Sequence, residues 1–307
     1  MSLLGSLLSA VSGLQAAQAQ LQITANNIAN VNTAGYTRKT VTPETAVIDG
    51  AVIGVRLSDV QRTVDEHLLR QLRAHIASLS GHRIESYFLT RTQSLFGSVG
   101  NNTSLSHTIT TLGSALEALA VGPDNLMNKT DVVDAARRLA DQLNFMSDNI
   151  QQMRLDAERQ IKESVDTVNK LLTDIHELNR TISRTIGAGD SAPDLEDQRD
   201  VLLNKLAEEI AIQYFRRPTG EVVISTLSGR TLLDSVPKTL GYAPVSAMGA
   251  AMTYQNGLSG ILYGAGNSDI TQEISGGRLA GLLTARDNTL VDFQAEIDRL
   301  SEVLRDR

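Results

Sequence analysis

Residues 124–186 hold a long helical pattern, in which apolar side chains return every three or four positions from Leu139 to Ile182. Leu139, Leu143, Met146, Ile150, Met153 and Ala157 form the first stretch; Ile161, Val165, Val168, Leu172, Ile175, Leu178 and Ile182 form the second. That period marks one face of an α-helix. A helix of about 60 residues spans about 90 Å at its usual rise, which is a rod and not part of a compact globule. From Met153 to Val165 the apolar steps are four, four and four. Such a stutter locally unwinds a coiled coil. Gly187, Gly189 and Pro193 end the run, and Asp194–Ile210 reads as a partner helix packed back in an antiparallel bundle.

The remaining segments fit around that rod. Residues 63–97 read as a helix with Leu68, Leu69, Leu72, Ile76 and Leu79 on one face, weakened in the middle by Gly81. Residues 106–120 read as a shorter helix that stops before Gly122-Pro123. Residues 36–62 alternate Thr, Val and Ile with polar residues, punctuated by Gly50 and Gly54, and read as an extended or hairpin connector. Residues 211–276 carry β texture, with Pro218-Thr219-Gly220 and Ser228-Gly229-Arg230 as turns. From Gly277 the helical period resumes through Leu279, Leu282, Leu283, Leu290, Phe293, Ile297, Leu300 and Leu304, and it is still running at Arg307. The expected fold is mainly α, an elongated helical bundle or coiled-coil rod with small β-hairpin segments. Its parts are an N-terminal coiled-coil helix at 1–35, a connector at 36–62, a long-helix bundle at 63–210, a β-rich segment at 211–276 and a returning helix at 277–307. Aromatic content of 4% without Trp suits helices packed through Leu, Ile, Val and Ala.

The N-terminal helix carries a seven-residue repeat. Leu7, Leu14, Leu21 and Ile28 share one line, and Leu4, Val11, Gln18 and Ala25 share its neighbour. This is an a/d seam over four heptads, long enough to define a coiled coil. No acidic or basic residue precedes Arg38, and the flanks are small and polar. A lone helix of this kind is marginal in water, so packing by copies of itself or by relatives is expected. Asn26, Asn27, Asn30 and Asn32 then crowd into seven positions. Asn is a mediocre helix former because its amide competes for backbone groups. One Asn would cap a helix; four favour side-chain bonding between chains. Gly35 supplies a residue able to adopt a left-handed conformation.

Ala25-Asn26-Asn27-Ile28-Ala29-Asn30, with Thr33, Gly35 and Tyr36, resembles the N-terminal motif of the bacterial flagellar axial proteins of rod and hook, with Ala34 where many members have proline. Within that superfamily the start of the chain and Tyr36-Thr37-Arg38 are most similar to the hook-associated protein 1 family, which joins hook to filament. Asp197-Gln198-Arg199-Asp200-Val201-Leu202 resembles that family's D-Q-R-D-x-L segment. Ser275-Gly276-Gly277-Arg278-Leu279-Ala280-Gly281-Leu282-Leu283 with Arg286-Asp287 resembles another. The resemblance implies a structural subunit that works by self-assembly and is secreted by flagellar type III export to the extracellular hook–filament junction. It implies as partners the hook protein, the second hook-associated junction protein, copies of itself, an export chaperone and the export apparatus. The implied assembly residues are Leu7, Val11, Leu14, Leu21, Ile28, Asn26, Asn27, Asn30, Asn32, Gly35 and Tyr36. Residues 277–307 match an internal family segment, and no second uncharged helix follows. The expectation is an N-terminal portion of a longer protein or a naturally shortened relative. Alternatives are a rod or hook subunit, a cytosolic coiled-coil adaptor, or an enzyme on a helical scaffold; the long helix at 124–186 speaks against the rod and hook subunits.

Other chemistries find little support. Lys plus Arg is 28 and Asp plus Glu is 35, a net charge of −7 without a basic stripe, which argues against nucleic acid. There is no Cys, hence no disulfide or thiolate site. The first residues lack the basic region and apolar core of a cleavable signal peptide, and no apolar run reaches the roughly 18 residues of a membrane span. His75 and His82 lie seven apart, where a helical metal pair prefers four plus a third ligand; His67, His107 and His176 stand elsewhere. Asp194, Glu196, Asp197 and Asp200 lack the calcium-loop pattern and read as acids at a helix start. The paired glycines Gly187/Gly189 and Gly264/Gly266 lack the full phosphate-loop motif, and no Ser sits in G-x-S-x-G. No catalytic, cofactor-binding or metal residues are assigned, and Arg286 and Asp287 read as structural.

Overall fold

The structure, a computed structural model, describes residues 3–48, 51–98, 100 and 102–306; for residues 3–5, 48, 51 and 52 it describes the backbone alone. Gly50, expected to punctuate the connector, and Arg307 lie outside the described residues. Helix dominates, with short strands in small sheets, as the expected mainly α class requires. The chain divides into two compact units, Met1–Ile76 with Val168–Lys238 and Ala77–Thr167 with Thr239–Arg307. Both units are discontinuous in sequence.

The first unit holds α1 (Leu3–Ala29), β1 (Lys39–Thr40), β2 (Pro43–Ile48), β3 (Ala51–Leu57) and β4 (Gln61–Arg62). It also holds the start of α2 (Glu66–Leu95) and the end of α4 (Leu126–Gly187). It is completed by α5 (Pro193–Glu209) and the strands β5 (Ile212–Arg216), β6 (Val222–Thr226) and β7 (Thr231–Leu233). Strands β2 and β3 form an antiparallel hairpin, and β1 pairs with β4. Strands β5, β6 and β7 form a three-stranded antiparallel sheet. The end of α4 turns back into α5 as a helical hairpin. Val168, Leu172, Ile175 and Ile182 are buried as the period requires. Leu178 is only half-buried, and Asn179 turns inward instead. Its amide donates to Val222 O at 2.8 Å and accepts from Val222 N at 3.0 Å and from Arg199 Nη1 at 3.0 Å. An amide that meets both a strand backbone and a buried guanidinium does what leucine cannot. Burial lowers the Arg199 pKa to about 10, against the opposing charges of Glu196 and Asp200.

The second unit holds the rest of α2 and α4, α3 (Leu105–Val121) and the two-residue strands β8 (Leu240–Gly241), β9 (Thr253–Tyr254), β10 (Gly257–Leu258), β11 (Leu262–Tyr263) and β12 (Ser268–Asp269). Helices α6 (Gly277–Thr284) and α7 (Leu290–Arg305) complete it. The Ser104 side chain caps α3 by accepting from His107 N at 3.2 Å. Met146, Ile150, Met153, Ala157, Ile161 and Val165 of α4 are buried. Within the stutter Arg154 and Glu158 turn inward as well, both fully buried. Glu158 meets Arg286 Nη1 at 2.9 Å and accepts the Tyr242 hydroxyl at 2.7 Å; Arg286 also grips Asp287 through two bonds of 2.7 Å. Arg154 donates to Arg286 O at 3.2 Å and to the Gly249 and Met252 carbonyls. Burial pushes the Tyr242 hydroxyl well above the ordinary tyrosine range. Burial alone would lower the Arg286 pKa, but Asp287, Tyr242 and Glu158 outweigh it and hold the guanidinium charged.

Two expectations for these helices change. The helix resuming at Gly277 runs on to Arg305 but is not α throughout: residues 285–289 form a π-helical turn between α6 and α7, and Arg286 is buried within it. Helix α2 runs unbroken through Gly81. The Gly81 Cα faces the start of α6, where a Cβ would sit 3.2 Å from Gly277 O, and a Cβ on Gly281 would lie 2.6 Å from Gly81 O and 3.0 Å from Ile84 Cβ. Glycine is present because the two backbones touch. Gly281→Ala is therefore expected to destabilise the protein by about 1–3 kcal/mol through overpacking. Gly113→Ala in α3, where nothing lies within 4 Å of the new Cβ, is expected to stabilise it by up to about 1 kcal/mol through helix propensity. Urea unfolding of the two variants measures both signs.

Candidate functional site

Helix α1 presents two unlike faces. Ser9, Ser12 and Ala16 lie toward β3: Ser12 Oγ accepts from Val55 N at 3.0 Å, and a Cβ on Gly54 would be 2.4 Å from that hydroxyl. Ala16 is buried. This small, hydroxyl-bearing face is what lets the strand approach. The heptad seam lies opposite. Leu7, Leu14, Leu21 and Ile28 are 61–70% exposed, and Val11 is 45% exposed. The helix expected to be marginal alone is thus held along one side by its own hairpin, while the other side stays open.

The helix stops at Ala29, six residues before the end of the 1–35 segment expected to form it, and the asparagines divide by role. Asn27 donates to Lys39 O at 2.8 Å and accepts from Lys39 N at 2.9 Å, so its amide pairs with Lys39 as a strand would. It also accepts the Tyr36 hydroxyl at 3.0 Å. Asn30 donates to Asn26 O at 3.0 Å and accepts from Thr33 Oγ1 at 3.2 Å, closing the helix end. The Asn26 side chain accepts from Gln22 at 3.2 Å and is exposed, as is Asn32. Beside them runs an open groove of about 730 Å³, floored by Ile23, Ile28, Val31 and Val41 and edged by Tyr36 and Arg38.

Beyond Asn27 the segment docks on α5. Gly35 has φ +84°, and a Cβ there would lie 2.2 Å from Val201 Cγ2. Both the backbone angle and the contact demand glycine. Asp197, 160 residues away, accepts from Thr37 N at 3.2 Å and Thr37 Oγ1 at 2.6 Å. It also meets Lys39 Nζ at 2.9 Å and Arg62 Nη1 at 2.9 Å. Arg62 continues to Asp200 at 2.7 Å and Glu196 at 3.0 Å, and Arg73 reaches Asp200 at 2.8 Å. Lys39 reaches Asp194 at 2.7 Å with its Nζ 3.7 Å from the Tyr36 ring centroid. Arg216 closes on Glu196. The acids of residues 194–200 are thus bound by cations from β1, β4, β5 and α2. Reading them as a helix start missed these partners. Lys39 and Arg62 are two of several charged residues in the connector, and nothing in their spacing says which of them meet the acids.

The joint is electrostatically matched. Burial would raise the Asp197 pKa, but bonds from Thr37, Lys39 and Arg62 outweigh it and hold the carboxyl below the usual aspartate range. Burial would lower Lys39 and Arg62, and the carboxylates instead raise both. Among the described residues no three His, Asp or Glu side chains gather as a metal site, and no helix is long and apolar enough to cross a membrane. His75 and His82 are exposed. Asp197→Asn leaves the buried Lys39 and Arg62 partly uncompensated and is expected to cost about 3 kcal/mol. Because the folded-state pKa of Asp197 lies below its unfolded value, its stabilisation is full above about pH 4 and lost as pH falls through the folded value. Urea unfolding across pH 2–7 should show the variant lacking part of that acid-dependent loss.

Comparison with known proteins follows the same two segments. The model of the flagellar hook-associated protein FlgK helical domain matches residues 89–307, and that of the flagella basal body rod protein matches residues 7–37. Flagellar hook-associated protein 1 of Salmonella typhimurium is 29% identical over 306 residues, covering 97% of this chain and 54% of the relative. That of Bacillus subtilis is 26% identical over 243 residues, 74% of this chain and 48% of the relative. The chain therefore spans about half the length of these relatives. The solved structure of the flagellar hook junction protein FlgK from Burkholderia pseudomallei shares the fold, with a TM-score of 0.62 at 22% identity over 74% of this chain and 41% of that one. The rod-protein match is confined to the N-terminal helix and its motif, whereas the helical-domain match covers more than two thirds of the residues: the chain belongs to the flagellar hook-associated protein FlgK family.

Proposed function

We propose that this protein is a structural subunit of the bacterial flagellum that joins hook to filament and acts by assembly, not catalysis. The observation that carries this reading is the open seam of α1: four large apolar residues on one helical line, each more than half exposed, on a helix anchored from behind. Exposed apolar stripes of this kind mark interaction surfaces. The protein is exported to the outside of the cell and lies between the hook protein and the second hook-associated protein, with copies of itself as neighbours. An export chaperone and the export apparatus are its transient partners.

Within that reading the assembly residues separate into three groups. Leu7, Val11, Leu14, Leu21 and Ile28 make the contact. Asn27, Asn30, Gly35 and Tyr36 hold the turn that fixes α1 to the body, while Asn26 and Asn32 remain available to neighbours. The groove beside Ile28 and Tyr36 extends the contact surface toward the connector. The alternative of a cytosolic coiled-coil adaptor predicts no flagellar phenotype on mutation.

Leu14→Asp or Leu21→Asp, placed on the chromosome, should leave the helical body folded because both side chains point away from it. In the assembly each carboxylate would be buried without a partner, at several kcal/mol per subunit. Export should continue, filaments should fail to attach, and flagellin should accumulate in the medium. Normal filaments by electron microscopy would refute the role of the seam.

A further inference from the structure

Asn256 is followed by Gly257, and this is the only Asn-Gly pair in the chain. Asparagine is a chemically labile residue. Its side-chain carbonyl carbon can close a five-membered ring with the backbone nitrogen of the next residue. A side chain on that next residue shields the nitrogen and stiffens the backbone; glycine does neither. In an α-helix the chain is locked by bonds between residues four apart, which protects the asparagines of α4 and α5. Asn256 lies outside any helix, in the second unit. Its carbonyl accepts from Thr253 N at 3.0 Å and its N–H donates to Thr253 O at 2.9 Å, closing a tight turn in which Gln255 has φ +69°. Asn256 and Gly257 are both exposed, and Gly257 has φ +94°. The exposed asparagines Asn32, Asn102 and Asn267, also outside helices, precede Thr33, Thr103 and Ser268 instead.

The turn is joined to the interior of its unit. Met252 packs against Gly257, its Cε 3.3 Å from where a Cβ would stand. The Met252 carbonyl accepts from the buried Arg154, as Gly249 O does at 3.3 Å. Leu258, next in the chain, is buried and pairs with Tyr254 of β9.

We propose that Asn256 is a site of spontaneous covalent modification, through a cyclic imide to aspartate and isoaspartate, and that the isoaspartate form loosens the packing at Leu258 and Arg154. The Gly257 nitrogen attacks the side-chain carbonyl carbon of Asn256. A C–N bond forms, the amide C–N bond breaks, and ammonia departs with the proton lost by Gly257 N. Water then opens the imide at either carbonyl. One opening leaves an aspartate in the ordinary chain. The other leaves isoaspartate, in which the main chain passes through the side-chain carbons and is one carbon longer. The aspartate form places a charge at an exposed position and disturbs little. The isoaspartate form shifts Gly257 against Met252 and draws Leu258 from its buried place.

The full chain is aged in mildly alkaline buffer and followed by peptide mass spectrometry, with isoaspartate told from aspartate by electron-transfer fragmentation. Asn256 should convert ahead of every other asparagine, and the aged protein should unfold at a lower urea midpoint than fresh protein. Freshly purified Asn256→Asp should match fresh protein, which isolates isoaspartate as the cause. Asn256→Gln, whose longer side chain closes such a ring far more slowly, should age without the loss. Another asparagine that converts as early as Asn256 overturns the site. The link to Leu258 and Arg154 is overturned by full conversion at 256 with an unmoved midpoint. It is overturned equally by an Asn256→Asp variant as unstable as the aged protein, or by the same loss in aged Asn256→Gln.

Discussion

Asp197 ties residues near the start of the chain to a helix 160 positions later. It takes two bonds from Thr37 and one each from Lys39 and Arg62, a full complement for a carboxylate that is almost removed from solvent. The junction between α1 and α5 depends on it. The turn after α1 is held by Asn27 to Lys39, and Lys39 is held to Asp197. Gly35 lets the same turn press against Val201 of α5. Helix α1 also meets β3, through Ser12 and Gly54.

A helical protein so poor in aromatic residues fills its interior partly with charge. Arg73, Arg154, Arg199 and Arg286 are among the largest fully buried side chains. Each meets several carbonyl or carboxylate oxygens, which the planar guanidinium fork suits and a lysine ammonium does not. Such networks are weak contributors to net stability and costly to break. Their value is in geometry. In the first unit they hold Thr37, Lys39 and Arg62 against α5, and in the second they gather Tyr242 and Ser259 around Glu158 and Arg286. The π turn at 285–289 belongs to the second arrangement, since it carries Arg286 and Asp287 together.

The exposed seam is the counterpart of this ordered interior. Its leucines receive no cover from the described residues, and the helix bears no charge to keep it apart from like helices. Solubility falls to the rest of the chain, whose net charge of −7 resides beyond residue 37. The division suits the assembly role proposed above: the charged body stays apart from its like, and one uncharged helix is left open.

Periodicity alone determined the helices. The long helix expected over 124–186 is Leu126–Gly187, and those expected at 63–97, 106–120 and 194–210 fall within three residues of α2, α3 and α5 at either end. Which line of α1 is left outside was decided by the fold: Ser9 and Ser12 meet β3, and the leucine line faces away. What periodicity could not supply is long-range pairing. That Asp197 meets Thr37, that Gly81 meets Gly281, and that Arg286 meets Glu158 depend on how distant segments cross, and each contact lies more than 100 residues away in sequence. Leu178 and Asn179 show the same limit at a single step of helix. The apolar pattern favours leucine inside, but the open backbone of Val222 requires an amide there, and only the tertiary structure brings that strand to the helix.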